Sequence, residues 1–198
     1  MITAIDKNTA LVLIDLQNGV VRMDLAHPVQ DVLANAVRLI NAFRAKGLPI
    51  VIVNVDPWDS ALVNARVERP LLPHDPEQRK KALQAYEASG FSNIVPEIVI
   101  EPHDILITKQ TWNAFTNPAL HTELQKHAIT GIVLAGVSAS VGVEGTARAA
   151  CEHGYNLSFA LDAMTDRLAE AYNHTVNNIF PRIGETGNTQ EIIDKLPN

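Results

Sequence analysis

Apolar runs of strand length alternate with stretches of helical spacing along this sequence, and that alternation leaves few folds open. The runs are "TALVLIDL" (9–16), "LPIVIVNV" (48–55), "HDILITK" (103–109), "TGIVLAGV" (130–137) and "YNLSFALDA" (155–163), with "IGET" (183–186) as a short sixth. The first is almost wholly apolar, as a strand buried on both faces must be. Helical patterns fall between them at 29–47, 76–89, 117–128, 142–154 and 166–180, with Asn117 and Pro118 as N-cap and first residue of the third and Gly154 as the stop of the fourth. Strands alternating with helices predict an α/β fold, a parallel sheet of five to six strands covered by helices on both faces. The 198 residues suit one core, so residues 1–198 are read as one domain.

The net charge of −6 and the isolated "RKK" at 79–81 argue against a nucleic-acid partner. No apolar run approaches the ~20 residues of a membrane helix, so no membrane partner is expected. The start of the chain lacks a basic segment and a small-residue cleavage site, and is read as mature protein. The lone Cys151 excludes an internal disulfide and fits a reducing, cytoplasmic setting.

A parallel sheet of this kind binds ligands beyond the carboxyl ends of its strands. Asp15 ends the first run, Asp56 follows the second, Lys109 ends the third, and "VSASVG" (137–142) follows the fourth. An acid closing an apolar run is desolvated and can give or take a proton, or it merely caps the strand. A lysine so placed can hold a carboxylate or stabilise developing negative charge, or it is a solvated surface residue. The 137–142 turn offers backbone N–H groups at a helix mouth, or an ordinary connection with Ser140 as N-cap. "SASVG" is not a G-x-S-x-G elbow, and no histidine is placed by sequence to activate Ser138 or Ser140. Cys151 lies nine residues after Gly142, ~13 Å along the helix and about half a turn out of phase, and is expected as a small buried core residue. The seven histidines form no ligand-spaced cluster, so neither a metal nor a cofactor is expected. Trp112 and Phe115 are candidate walls of an apolar pocket, or core packing.

Taken together, "ALVLIDLQNGV", "NIVPEIVIEPHDILITKQTWNAF" and "GIVLAGVSASVGVEGTARAACEHGYNLSFALDAMTD" resemble the isochorismatase-like (cysteine hydrolase) family over roughly residues 9–187. The resemblance implies a three-layer α/β/α, Rossmann-like fold, a small-molecule substrate and a homo-oligomer, dimer or tetramer. Amidase members use an Asp, a Lys and a Cys, and Asp15 and Lys109 match the first two. The Cys position falls on Gly142, which has no side chain to attack with. The family's nicotinamidase-type metal motif is absent from "VNVDPWDSAL".

Isochorismatases can also carry glycine there, and they cleave a vinyl ether without a nucleophilic residue. By that resemblance Asp15 is the general acid, Lys109 orients it or binds substrate, and Gly142 leaves room for substrate and offers its N–H. Gln17, Trp112, Phe115, Val137, Ser138 and Val141 are the implied substrate-binding residues, with a non-proline cis bond expected between Val137 and Ser138. The chain departs from isochorismatases at Ser138, where they carry Tyr, and at Thr111, where they carry Arg. Acid-assisted, vinyl-ether-type hydrolysis is the expected activity. A silent small-molecule binder and an amidase using water, Ser138 or Ser140 are the alternatives.

Overall fold

A computed structural model describes residues 1–197. Six parallel strands form one sheet: β1 (Thr9–Ile14), β2 (Ile50–Val55), β3 (Ile105–Lys109), β4 (Gly131–Val137), β5 (Asn156–Thr165) and β6 (Glu185–Gly187), in the order β3-β2-β1-β4-β5-β6. This is a doubly wound order, and the winding reverses between β1 and β4, where such sheets open a crevice.

The helices are α1 (Asn18–Val21), α2 (Val29–Ala45), α3 (Pro76–Ala88), α4 (Pro118–Lys126), α5 (Glu144–Glu152), α6 (Ala169–His174), α7 (Phe180–Ile183) and α8 (Thr189–Ile193). Alternate residues of β1 face opposite layers. Leu11 and Leu13 join Leu33, Leu39, Phe43 and Ile192 of α2 and α8, whereas Ala10, Val12 and Ile14 join Leu120, Ala147 and Phe180 of α4, α5 and α7. Each large side chain so buried contributes about 1.5–3 kcal/mol, which is why the continuous apolar runs become central strands. Helix α3 buries no residue; Asp75 caps it by accepting from the Gln78 N–H.

The structure corrects several of the expected elements. The helix expected at 142–154 begins earlier, as a π-helical turn over Ala139–Val143 leading into α5, so Ser140 is not its N-cap. The helix expected over 166–180 begins at Ala169 and passes through a second π turn, Thr175–Ile179, into α7. The sequence reading did not include α8, whose Asn188 and Glu191 form a reciprocal capping box.

Candidate active site

Strand β1 stops one residue short of Asp15 because Asp15 turns left-handed, with φ 56°. Aspartate is among the few residues that tolerate this region, where a single-residue excursion costs on the order of 1–2 kcal/mol. The turn drives the carboxyl inward, and Asp15 is 3% exposed. Its neighbour Gly136 permits the close approach of β1 and β4: a Cβ there would lie 2.1 Å from the Ile14 carbonyl oxygen.

Lys109 reaches Asp15 from the end of β3, across β2. Its Nζ donates to Asp15 Oδ2 at 2.9 Å and to the Thr111 carbonyl at 3.2 Å. Lys109 is 2% exposed, so the pair is dry. Asp15 Oδ1 is buried with no hydrogen-bond partner. Burial raises the Asp15 carboxyl above its ordinary 3.8; the Lys109 charge and hydrogen bond oppose that rise without cancelling it.

Gly142 closes the third side. A Cβ built on it would stand 2.7 Å from Asp15 Oδ2, 3.1 Å from Ile14 Cγ2 and 3.4 Å from Lys109 Nζ. The structure thus gathers Asp15, Lys109 and Gly142, separated by up to 127 positions in sequence, within one contact shell.

Two buried side chains absent from the sequence reading hold the surroundings. Asp166 Oδ2 accepts from both the backbone N–H and the hydroxyl of Ser140, at 2.7 and 2.8 Å, fixing the turn that carries Gly142. The Thr146 hydroxyl donates to the Gly142 carbonyl at 2.8 Å and accepts from Ala114 N–H at 3.0 Å, tying the Gly142 turn to the segment after Lys109. Asp166 carried the same signal as Asp15, an acid ending an apolar run, but the fifth strand was expected to stop at 163 and extends to Thr165.

The residues implied as substrate-binding fall in different places. The Gln17 amide is committed to backbone: its Nε2 donates to the carbonyls of Val55 and Phe91, and its Oε1 accepts from Val55 N–H at 2.6 Å. Val137 is fully buried in the α2-side core. Ser138 and Val141 are half-buried in the turn; Ser138 carries the positive φ of 63°, and no cis peptide occurs among the described residues. The expected cis bond is replaced by a trans bond followed by a left-handed serine. Trp112 is 60% exposed. Phe115 packs away from the pair, against His121, His153 and Tyr155. Cys151 is exposed rather than buried, because α5 turns it outward; it lines a recess at the amino ends of the strands, with Thr9, Gly131 and Asn156, opposite to Asp15.

Residues 9–191 match the family described as the Isochorismatase domain. The chain belongs to the isochorismatase family. This isochorismatase-family chain is 36% identical over 198 residues to the uncharacterized isochorismatase family protein YecD of Escherichia coli O157:H7, covering 96% of this chain and 97% of that one. A solved isochorismatase family protein from Burkholderia thailandensis superposes with a TM-score of 0.83 at 32% identity, with 99% of each chain covered. At 27% identity over 179 residues, the chain is also similar to the ureidoacrylate amidohydrolase RutB of Stutzerimonas stutzeri (strain A1501), covering 82% of this chain and 70% of that one. The family-level activity is hydrolysis of a small molecule.

Proposed function

We propose that this protein hydrolyses a small molecule by acid assistance at Asp15, with a vinyl ether as the bond broken and no covalent enzyme intermediate. One observation carries the reading: Asp15 is a buried carboxyl with raised proton affinity, one oxygen held by Lys109 and the other without a partner. A carboxyl whose proton affinity is raised keeps its proton to higher pH than a solvated aspartate and can then act as a general acid. By the family resemblance Gly142 takes the position of the attacking thiol of amidase members, and a Cβ there would stand 2.7 Å from Asp15 Oδ2.

In the proposed reaction protonated Asp15 gives its proton to the terminal carbon of the C=C–O–R unit. The carbon–carbon π pair forms the new C–H bond, and the adjacent carbon becomes an oxocarbenium ion. Lys109 stabilises the Asp15 carboxylate left behind. Water adds to the cation and returns one proton to Asp15. The hemiketal then loses R–OH, with its hydroxyl proton moving to the leaving oxygen, and a ketone remains. By the family resemblance the Gly142 N–H is the donor that would orient the substrate oxygen during these steps.

The test is a product screen on the purified chain. It offers isochorismate, simpler enol ethers and small amides, with ketone and ammonia read out in parallel. Ketone release that disappears in Asp15→Asn supports the reading. Ammonia release that disappears in Ser138→Ala or Ser140→Ala sinks it in favour of an amidase, and binding without any product favours a silent binder.

A further inference from the structure

The sheet has a second open end, remote from Asp15. There β1, β4, β5 and β6 begin, with Thr9, Gly131, Asn156 and Glu185 as their first residues, and all four line one cavity of about 460 Å³. That volume lies in the range of small-molecule sites. Cys151, the single thiol of the chain, lines it from α5, and Arg182 lines it from α7.

An exposed cysteine alone makes no site; the deciding neighbour is Ser158. It is 8% exposed, lines the same cavity and forms no side-chain hydrogen bond. Among the described residues the sealed polar side-chain atoms without a partner are Asp15 Oδ1, Arg44 Nε and Ser60 Oγ. Ser158 Oγ is unpartnered without being sealed, so it opens into the cavity that Ser158 lines. A buried hydroxyl without a partner is destabilising, and a polar group on a ligand removes that cost.

The charges narrow the ligand. Asp6 Oδ2 accepts from the Thr130 hydroxyl at 2.6 Å and from Asn156 Nδ2 at 3.0 Å, and Glu185 Oε2 accepts from the Thr3 N–H at 2.7 Å. Both of these lining carboxylates are committed within the chain. The Arg182 guanidinium makes no ion pair or hydrogen bond among the described residues. One free cation beside two hydrogen-bonded carboxylates suits a zwitterion, its carboxylate on Arg182 and its ammonium toward Asp6 or Glu185. Ser158 faces the α2 layer, because Leu157 and Phe159 on either side of it face the layer of α5 that carries Cys151. A ligand touching both residues wraps the amino edge of the sheet and is longer than one amino acid.

We propose that this recess is a thiolation site, where Cys151 forms a mixed disulfide with a peptide-sized thiol bearing carboxylate and ammonium groups. The reactant is the disulfide of that thiol, R–S–S–R. The Cys151 thiolate attacks one sulfur, the old S–S bond breaks as the new one forms, and its electron pair leaves on the second sulfur. The departing thiolate takes up the proton that Cys151 released, so one mixed disulfide and one free thiol result. Arg182 and Ser158 hold the R group while sulfur meets sulfur. The site lies at the opposite end of the strands from Asp15, so the inference is independent of the reaction proposed there.

The test incubates the whole purified chain with glutathione disulfide, with the cationic cystamine and with the neutral bis(2-hydroxyethyl) disulfide. Intact mass spectrometry follows uptake, and any adduct is on Cys151 because the chain has no other thiol. Each rate is divided by that of the same disulfide with N-acetylcysteine amide, which removes differences in intrinsic reactivity. The normalised rate for glutathione disulfide is expected to exceed the other two about tenfold. It should fall to the level of the neutral disulfide in Arg182→Gln and part of the way in Ser158→Ala. Arg182 is exposed, so its replacement leaves the fold intact. Equal normalised rates mark an ordinary surface thiol and overturn the proposal. A glutathione preference that survives in Arg182→Gln, or no adduct from any of the three, overturns it as well.

Discussion

The Cα–Cβ direction of Gly142 points at the carboxylate of Asp15, so that a single added carbon would come within 2.7 Å of Oδ2. The two residues therefore compete for one volume. A side chain at 142 and an inward Asp15 paired with Lys109 cannot both keep their present positions. In the proposed mechanism this makes the glycine part of the acid site rather than a vacancy in it.

Gly142→Cys is accordingly expected to damage the protein without creating an amidase. The contact forces Asp15 or the π turn to move, at about 1–3 kcal/mol. Thermal denaturation should show the loss, and ammonia release from small amides should stay at background. An active thiol amidase from this one change would refute the reading of the pair.

Asp15→Asn is expected to lower ketone formation by about 10²–10⁴-fold, the range of a lost general acid. Asparagine keeps an acceptor for Lys109 Nζ, so the fold should survive. Lys109→Met removes the partner instead and leaves a buried carboxyl unpaired. That variant should lose turnover together with stability, by about 3–5 kcal/mol if Asp15 stays ionised. Circular dichroism melts beside kinetics separate the two cases.

The pH dependence follows from the raised proton affinity of Asp15. A raised value means the folded state binds the proton more tightly than the unfolded chain. That contribution to stability is complete below the ordinary 3.8 and is lost as pH rises through the higher folded value. In the proposed mechanism turnover needs the protonated acid, so kcat should fall on the alkaline side of the same transition. Asp15→Asn should flatten the stability profile across that window. A kcat that rises with pH there would assign Asp15 to the base role.

Asp166→Ala should loosen the Gly142 turn by stranding the Ser140 N–H and hydroxyl, at about 1–3 kcal/mol. Its effect on turnover should appear mainly in kcat, because the turn places groups around Asp15 without holding the remote end of the substrate. Asp166→Asn, which retains acceptors, should recover part of the loss. Equal kcat in Asp166→Ala and the parent would show that the turn needs no such anchor.

Much of the sheet is visible in the one-dimensional pattern because parallel strands buried on both faces must be apolar throughout. The runs around Leu13, Ile52 and Val133 are central strands for that reason. The Asp15 and Lys109 positions and the 137–142 turn follow from the same pattern, since they end or follow those runs, whereas Gly142 itself is singled out by the family resemblance. Side-chain direction is less visible. Gln17 reads as a polar residue beside the site, yet it is fully buried and spans backbone from two segments. Cys151 reads as a small core residue and is exposed, because one position of helical phase separates the buried Ala150 from it. The aromatic group of Trp58, Tyr86 and Phe91 draws on an irregular segment and on α3, whose spacing holds no periodic clue to their meeting. The capping box at Asn188 was available in "NTQE", and its N-x-x-E spacing marks the start of α8.

Strand β1 is synthesised before β2 and β4 but takes its place between them only after residue 137 has emerged. Until then one edge of β1 lacks its partner, and the turn that carries Gly142 does not yet exist. A nascent chain paused before β4 thus bears an Asp15 still wetted by solvent, with the acidity of any free aspartate. The unusual acid is born late, when β4 and the Gly142 turn close over a residue that precedes them in the chain. Proton affinity at position 15 is therefore a reporter of completed folding, silent in every truncated product that stops short of that closure.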